Sequence, residues 1–164
     1  LNFPLNINHT TITLKHILFS SEGSNYRIRN KKKLKYWLIR VAQLEKEVNI
    51  LNINYILCDN PFILKINKLH LKHNYYTDVI TYQYNESHQA IEADIYIGID
   101  MVKFNAKKYG VPLEDELHRV MLHGLLHTLG YKDKTPKDKK EMRAAEDKYL
   151  KIFSTVVSRE TKTH

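Results

Sequence analysis

The chain has 164 residues, 43% of them apolar and 27% charged, enough for one domain with its own core and too few for two. Its single cysteine, Cys58, excludes an internal disulfide and a cysteine metal cluster, and no apolar run approaches the length of a bilayer span. Residues 1–13 have no basic start before an unbroken apolar stretch, so they do not read as a signal peptide, and a cytoplasmic monomer is expected.

The net charge of +8 lies mostly in the first half: residues 1–80 carry 12 Lys+Arg against 5 Asp+Glu, and residues 81–164 carry 14 against 13. A basic half suits a polyanionic partner such as RNA. It suits equally a positive surface that only keeps the protein soluble.

Phe3, Leu5 and Ile7 alternate and predict a first strand, with a loop at residues 20–24. Asn30 can cap a helix whose buried face is Leu34, Trp37, Leu38, Val41, Leu44 and Val48. Leu51, Ile53, Tyr55 and Leu57 alternate with Asn52, Asn54 and Ile56 and predict a strand. Asn60-Pro61 opens a short helix through Leu69. Residues 79–84 are β-rich, and Ile91, Ala93, Ile95, Ile97 and Ile99 give the clearest period-2 pattern in the chain. The loop of residues 85–89 between those runs is short enough for a hairpin.

Asp100 is placed as the cap of a short helix ending at Gly110. Pro112 starts the next, with Glu114, Asp115 and Glu116 in its first turn, where the helix dipole favours acids. That helix runs to Gly130. Thr135-Pro136-Lys137-Asp138 has the form of a cap, and the last helix carries Met142, Ala145, Tyr149, Ile152 and Val156 on one face. Strands first and helices later give an α+β domain over residues 1–157, with a frayed tail at 158–164.

The informative segment is His123-Gly-Leu-Leu-His127-Thr-Leu-Gly130-Tyr-Lys-Asp133. Histidines four apart on a helix leave the same face, one turn apart. Gly130 accepts the left-handed conformation that ends a helix and turns the chain, so Asp133 can return toward the two rings. Two histidines and one carboxylate leave a fourth position for water, the plan of a catalytic zinc site. The same spacing also arises with each histidine simply hydrogen-bonded in a core; the glycine and the acid at these offsets favour the metal. Metallopeptidases of the H-E-x-x-H type place a glutamate base after the first histidine, and here that position is Gly124.

These residues resemble the YbeY-type rRNA maturation endoribonucleases. The family hallmark H-G-x-L-H-x-x-G-Y-D-H is matched at His123, Gly124, Leu126, His127, Gly130 and Tyr131. A second family motif, T-[DN]-V-L-[ST]-F, is similar to Thr77-Asp78-Val79-Ile80-Thr81-Tyr82, and a third, G-D-I-x-I-[SC], to Ala93-Asp94-Ile95-Tyr96-Ile97-Gly98. The resemblance runs from about Asn67 onward. It implies a zincin-like α+β fold with a mixed sheet of about four strands packed with helices. It also implies one Zn2+ per chain, cleavage of single-stranded RNA, 16S rRNA 3′-end maturation and ribosome quality control on the small subunit.

Two departures stand out. Asp133 occupies the place where most members have the third histidine ligand, and aspartate is a competent zinc ligand. Leu71 stands where the family carries an arginine thought to act on RNA. Lys68, His70, Lys72 and His73 are the nearby substitutes.

The expected catalytic groups are His123 and His127, acting through the metal with Asp133 as third ligand and no carboxylate base beside them. The basic run Arg27, Arg29, Lys31, Lys32, Lys33 and Lys35 is the main RNA-binding candidate, because Lys31–Lys33 fall in a first helical turn, where the dipole disfavours cations; a solvated helix start with flexible lysines fits the same run equally. Among the 11 tyrosines, Tyr75, Tyr76, Tyr82, Tyr84 and Tyr131 lie near the site in sequence and read as core or sheet-surface packing rather than base-stacking platforms. His118 lies off the ligand face, and Asp78 and Asp94 are expected to hold loops through backbone hydrogen bonds. The competing functions are a zinc metallopeptidase and a non-catalytic ribosome-assembly factor that keeps its metal for structure.

Overall fold

The computed structural model describes residues 16–85 and 90–160. Its elements run β1 (Ile17–Glu22), α1 (Lys31–Lys46), β2 (Asn49–Cys58), α2 (Asn60–Leu71), β3 (Val79–Gln83), β4 (Ala90–Gly98), α3 (Ile99–Tyr109), α4 (Leu113–Thr128) and α5 (Pro136–Glu160). The four strands form one mixed sheet in the order β1-β2-β4-β3. β1–β2 and β2–β4 are parallel, and β3–β4 is antiparallel. This is the α+β architecture expected from the order of the elements, with the four-stranded mixed sheet that the family resemblance implies.

The period-2 pattern of β4 puts Ile91, Ala93, Ile95 and Ile97 on one face, where they meet Ile53, Tyr55 and Leu57 of β2. Helices α1, α4 and α5 cover that face. Tyr55 Oη donates to the carbonyl of Met121 at 3.1 Å, and Trp37 Nε1 to that of Tyr149 at 3.0 Å, so the polar atoms of both rings are satisfied inside the core. Among the described residues, the opposite face is covered by α2, through a smaller cluster of Ile56, Cys58, Ile63, Ile66 and Ile80.

Several sequence expectations are corrected. The strand expected at Phe3, Leu5 and Ile7 lies outside the described residues, and the first described strand is Ile17–Glu22. Residues 20–22, read as loop, belong to this strand; it lies at the edge of the sheet among the described residues, with Ser20, Ser21 and Glu22 exposed, so no apolar alternation marks it. Leu44 and Leu51 are exposed at 42% and 52%. Leu51 is turned out by a register shift between Ile50 and Asn52 that seats Ile50 in the core instead. Asn30 occupies the cap position of α1 in a left-handed conformation (φ 52°), and its side chain makes no cap hydrogen bond. Asp100 is not the cap of α3, which is Gly98; its carboxylate instead accepts the backbone N–H of Asn60 at 3.0 Å. The cap of α2 is Asp59, which accepts from the N–H of Phe62. At α5 the reading holds: Thr135 Oγ1 accepts from the N–H of Asp138, and the Asp138 carboxylate accepts from the N–H of Thr135. The α5 side chains that join the core are Met142, Ala145, Tyr149 and Phe153; that of Val156 lies outside the described residues. Helix α5 extends to Glu160.

One close approach fixes how α4 sits on the sheet. A Cβ on Gly124 would fall 2.7 Å from Ile95 Cγ2 and 3.3 Å from Thr81 Oγ1, so the helix backbone lies directly on β3 and β4. Gly124→Ala gains up to about 1 kcal/mol of helix propensity and loses about 1–3 kcal/mol to overpacking. We expect a net loss of stability, seen as a lower urea midpoint with an unchanged m-value; an unchanged or raised midpoint would show that this packing is not tight.

Candidate metal centre

His123 and His127 lie in the last turns of α4, on the flank of its buried stripe of Met121, Leu122, Leu125 and Leu126. The helix ends in a Schellman turn: Tyr131 N donates to Leu126 O and Gly130 N to His127 O, each at 3.1 Å, with Gly130 at φ 97°. That reversal carries Asp133 back over the rings. The two Nε2 atoms are 2.9 Å apart, and Asp133 Oδ2 is 3.4 Å from that of His123 and 3.5 Å from that of His127. These three residues are the one group among the described residues with ligand atoms gathered as a metal ion needs.

The outer nitrogens explain the orientation of the rings. His123 Nδ1 is 2.7 Å from Glu146 Oε1, and His127 Nδ1 is 3.0 Å from the Tyr131 carbonyl. An ionised carboxylate and a carbonyl only accept, so each Nδ1 carries hydrogen and each Nε2 turns a lone pair inward. Two inward lone pairs 2.9 Å apart repel unless a cation, a proton or a metal ion, lies between them. Tetrahedral zinc with about 2.0–2.1 Å bonds to nitrogen separates two such nitrogens by about 3.3 Å, close to the spacings found. The donor set therefore fits a small divalent ion.

The proton balance agrees. Burial of His123 disfavours its charged form, but the Glu146 hydrogen bond and charge, with Asp133 and Asp78 behind it, outweigh burial and raise its pKa above 6.5. Burial and the neighbouring His123 charge lower that of His127. Burial likewise opposes the Glu146 anion, yet hydrogen bonds from His123 and Arg119 hold its pKa below the usual glutamate value. Asp78 is shifted upward, chiefly by burial.

A cavity of about 500 Å3 opens beside His123 and Asp133, with Asp78, Glu116 and Glu146 on its walls and Arg119, Lys139 and Arg143 among its lining cations. From the sequence, no carboxylate beyond Asp133 is expected beside the rings. Glu146 is the chief omission: it stands four residues after Met142 on the buried stripe of α5, and a charged residue on that stripe was the available signal. Asp78 also belongs to this cavity, where Asn105 Nδ2 donates to it at 3.4 Å. Asp94 sits on β4 rather than in a loop, held by side chains: Asn54 donates to one oxygen and Tyr84 Oη to the other.

Residues 18–154 match the model of the family described as endoribonuclease YbeY. The chain belongs to that family. The endoribonuclease YbeY of Cytophaga hutchinsonii is 46% identical over 136 residues, covering 83% of this chain and 94% of the relative. That of Porphyromonas gingivalis is 39% identical over 145 residues, covering 88% and 94%. Among solved structures, TM1509 from Thermotoga maritima matches with a TM-score of 0.58 and 26% identity, over 90% of this chain and 96% of the other.

Within this YbeY fold the other candidates are scattered. Arg29 pairs with Glu114 at 3.6 Å, at the opposite end of α4 and roughly 13 Å along the helix from His123. Arg27 and Lys31 line a separate cavity of about 300 Å3 between β1 and the start of α1, and Lys32 and Lys33 continue that helix. Lys72 ends α2 in a left-handed conformation (φ 56°), and His73 stacks on Tyr75. Lys68, His70, Lys72 and His73 are not among the residues lining the cavity beside His123, and Leu71 is exposed on α2. Tyr75, Tyr76, Tyr82 and Tyr84 are exposed, Tyr82 and Tyr84 forming an edge-to-face pair on the sheet surface. Tyr131 donates to Glu45, and His118 packs edge-on against Phe153.

Two outcomes are expected of metal-binding measurements. His127→Ala removes stoichiometric metal measured on purified protein. In the parent chain, metal and proton compete for His123. Because its pKa is raised, apparent Zn2+ affinity weakens on acidification from above pH 6.5, the ordinary histidine value, rather than only below it. A chelator-competition titration across pH 5.5–8.5 checks the sign, and an affinity flat across that window contradicts it.

Proposed function

We propose that this chain is a zinc-dependent endoribonuclease that cuts single-stranded RNA, acting in 16S rRNA 3′-end maturation and ribosome quality control in the cytoplasm. The observation that carries this reading is the convergence of His123 Nε2, His127 Nε2 and Asp133 Oδ2 beside a cavity lined by Arg119, Lys139 and Arg143. Three protein donors leave a coordination position open, as in catalytic zinc sites.

His123, His127 and Asp133 would hold the ion, which when bound supplies Lewis-acid polarisation of a phosphate oxygen and an activated water. The protein's own part is placement. Glu146 and the Tyr131 carbonyl fix the two rings. The Arg143 and Lys139 side chains are exposed and positive, and are placed to meet the phosphates of a strand entering the cavity. This charge stands in for the family arginine replaced by Leu71. Arg119 is the more committed cation, since its guanidinium donates to Glu146 and to Asp147, each at 2.9 Å, whereas Arg143 reaches Glu146 at 3.5 Å through a side chain that is otherwise exposed.

A peptidase of the H-E-x-x-H type does not fit. The position of its glutamate base is Gly124, whose missing side chain is displaced by Ile95. No helix of the described residues is long and apolar enough to cross a membrane.

Highly purified protein is expected to cleave a labelled model of the 16S rRNA 3′ end and to leave casein intact. Chelation or His123→Ala should abolish cleavage, and Zn2+ should restore the chelated parent alone. Loss of cleavage on purification, with metal retained, would favour the assembly-factor reading.

Charge reversal separates the two basic regions. Removing a cation that neutralises one phosphate reduces the salt slope of RNA binding by about one. Arg143→Glu with Lys139→Glu should flatten that slope and slow cleavage. Lys31→Glu with Lys32→Glu should flatten the slope with a smaller effect on cleavage. Unchanged slopes for both pairs would place the RNA elsewhere.

A further inference from the structure

We infer that Glu146, locked by Arg119, is the positioning residue that sets the tautomer of His123 and so makes its Nε2 available to a metal ion. The inference rests on the metal-centre reading above and adds a part to it: helix α5 supplies the carboxylate that backs His123.

Glu146 is 5% exposed, although it is ionic. A buried carboxylate is tolerated only where charge and hydrogen bonds compensate it. Here Arg119 Nη1 donates to Oε2 at 2.9 Å, Arg143 Nη1 approaches the same oxygen at 3.5 Å, and Oε1 faces His123 Nδ1 at 2.7 Å. Arg119 also donates to Asp147 at 2.9 Å, so one planar guanidinium grips two adjacent side chains of α5. The two oxygens of Glu146 thus have divided tasks. Oε2 is held by cations, and Oε1 is left to accept from the imidazole.

A neutral imidazole carries one hydrogen, on either nitrogen. Hydrogen on Nε2 would block the nitrogen that faces His127 and Asp133. An anionic acceptor at Nδ1 draws the hydrogen outward and leaves Nε2 as a lone pair. His127 receives the same instruction from a neutral carbonyl of Tyr131. The two rings are therefore backed unequally, one by an anion and one by a dipole. The anion-backed ring is the stronger electron donor.

Glu146→Gln is the discriminating variant because it preserves shape. The amide has one oxygen and one NH2. Arg119 can only donate, so it claims the oxygen and turns the NH2 toward His123 Nδ1. Nδ1 must then accept, and the hydrogen moves to Nε2.

The test is two-bond 1H–15N correlation NMR of the metal-free protein above the titration range of the histidines, beside Zn2+ affinity by chelator competition. In the parent chain His123 should show a protonated Nδ1 and a bare Nε2. In Glu146→Gln the pattern should invert at His123 and persist at His127, with Zn2+ affinity falling roughly 10- to 100-fold. Glu146→Asp, which keeps the anion on a shorter stem, should retain the parent pattern. An uninverted pattern in Glu146→Gln, or parental Zn2+ affinity, would overturn the inference. Because neither readout uses RNA, absence of ribonuclease activity would count against the proposed function and leave this inference standing.

Discussion

The seating of α4 on the sheet through Gly124 governs everything built around the two histidines. With no Cβ at that position, the helix backbone lies against Ile95 and Thr81, and its rotation about its own axis is fixed. Met121, Leu122, Leu125 and Leu126 then enter the core, leaving His123 and His127 at its margin, partly exposed. The histidine spacing supplies a shared face, but only the seated helix says which way that face points. Gly124 thus has two roles: it excludes the peptidase base, and it lets the helix approach closely enough to aim the rings.

From that seat the electrostatics follow. The cavity beside the rings gathers the carboxylates of Asp78, Glu116 and Glu146, two of them raised in pKa chiefly by burial. Glu146 alone is shifted downward, because His123 and Arg119 hydrogen-bond to it against the pull of burial. The three acids are therefore not equivalent. Asp78 and Glu116 resist ionisation, whereas Glu146 is a fixed anion. A site with a fixed anion behind one imidazole and Asp133 in front of it favours a cation at the meeting point of the rings, and the raised pKa of His123 expresses the same field acting on a proton.

Legibility in the sequence followed locality. Strand periods located β2 and β4 and helix periods α1 and α5, because each buries a regular stripe, whereas proline, cap and glycine signals located α2, α3 and α4. The site was legible where its signals are local: two histidines one turn apart, a glycine that reverses the chain, and an acid three residues on. Glu146 comes from α5, 23 residues after the ring it holds, and no spacing rule connects them. Strand β1 was missed because its edge position leaves it polar. Leu51 and Asp100 were misassigned for a shared reason: a register shift and a neighbouring chain segment, neither visible locally, decide where each side chain goes.

Charge shows the limit of local reading most clearly. The densest cationic run, Arg27 to Lys35, drew attention because it is contiguous, yet it starts at the far end of α4 from the rings. The cations that line the metal-side cavity, Arg119, Lys139 and Arg143, are separated in sequence and mixed with acids, so composition hides them. Leu71 makes the same point in reverse. Its helix, α2, packs on the sheet face opposite α4 through Ile63 and Ile66, so a substitute cation drawn from α2 would have to reach around the β3 edge. Helices α4 and α5 already border the cavity, so a charge missing from α2 is most directly replaced from them. On the proposed function, the departure at Leu71 would change which element meets the phosphates without requiring a change in the three residues that would hold the metal.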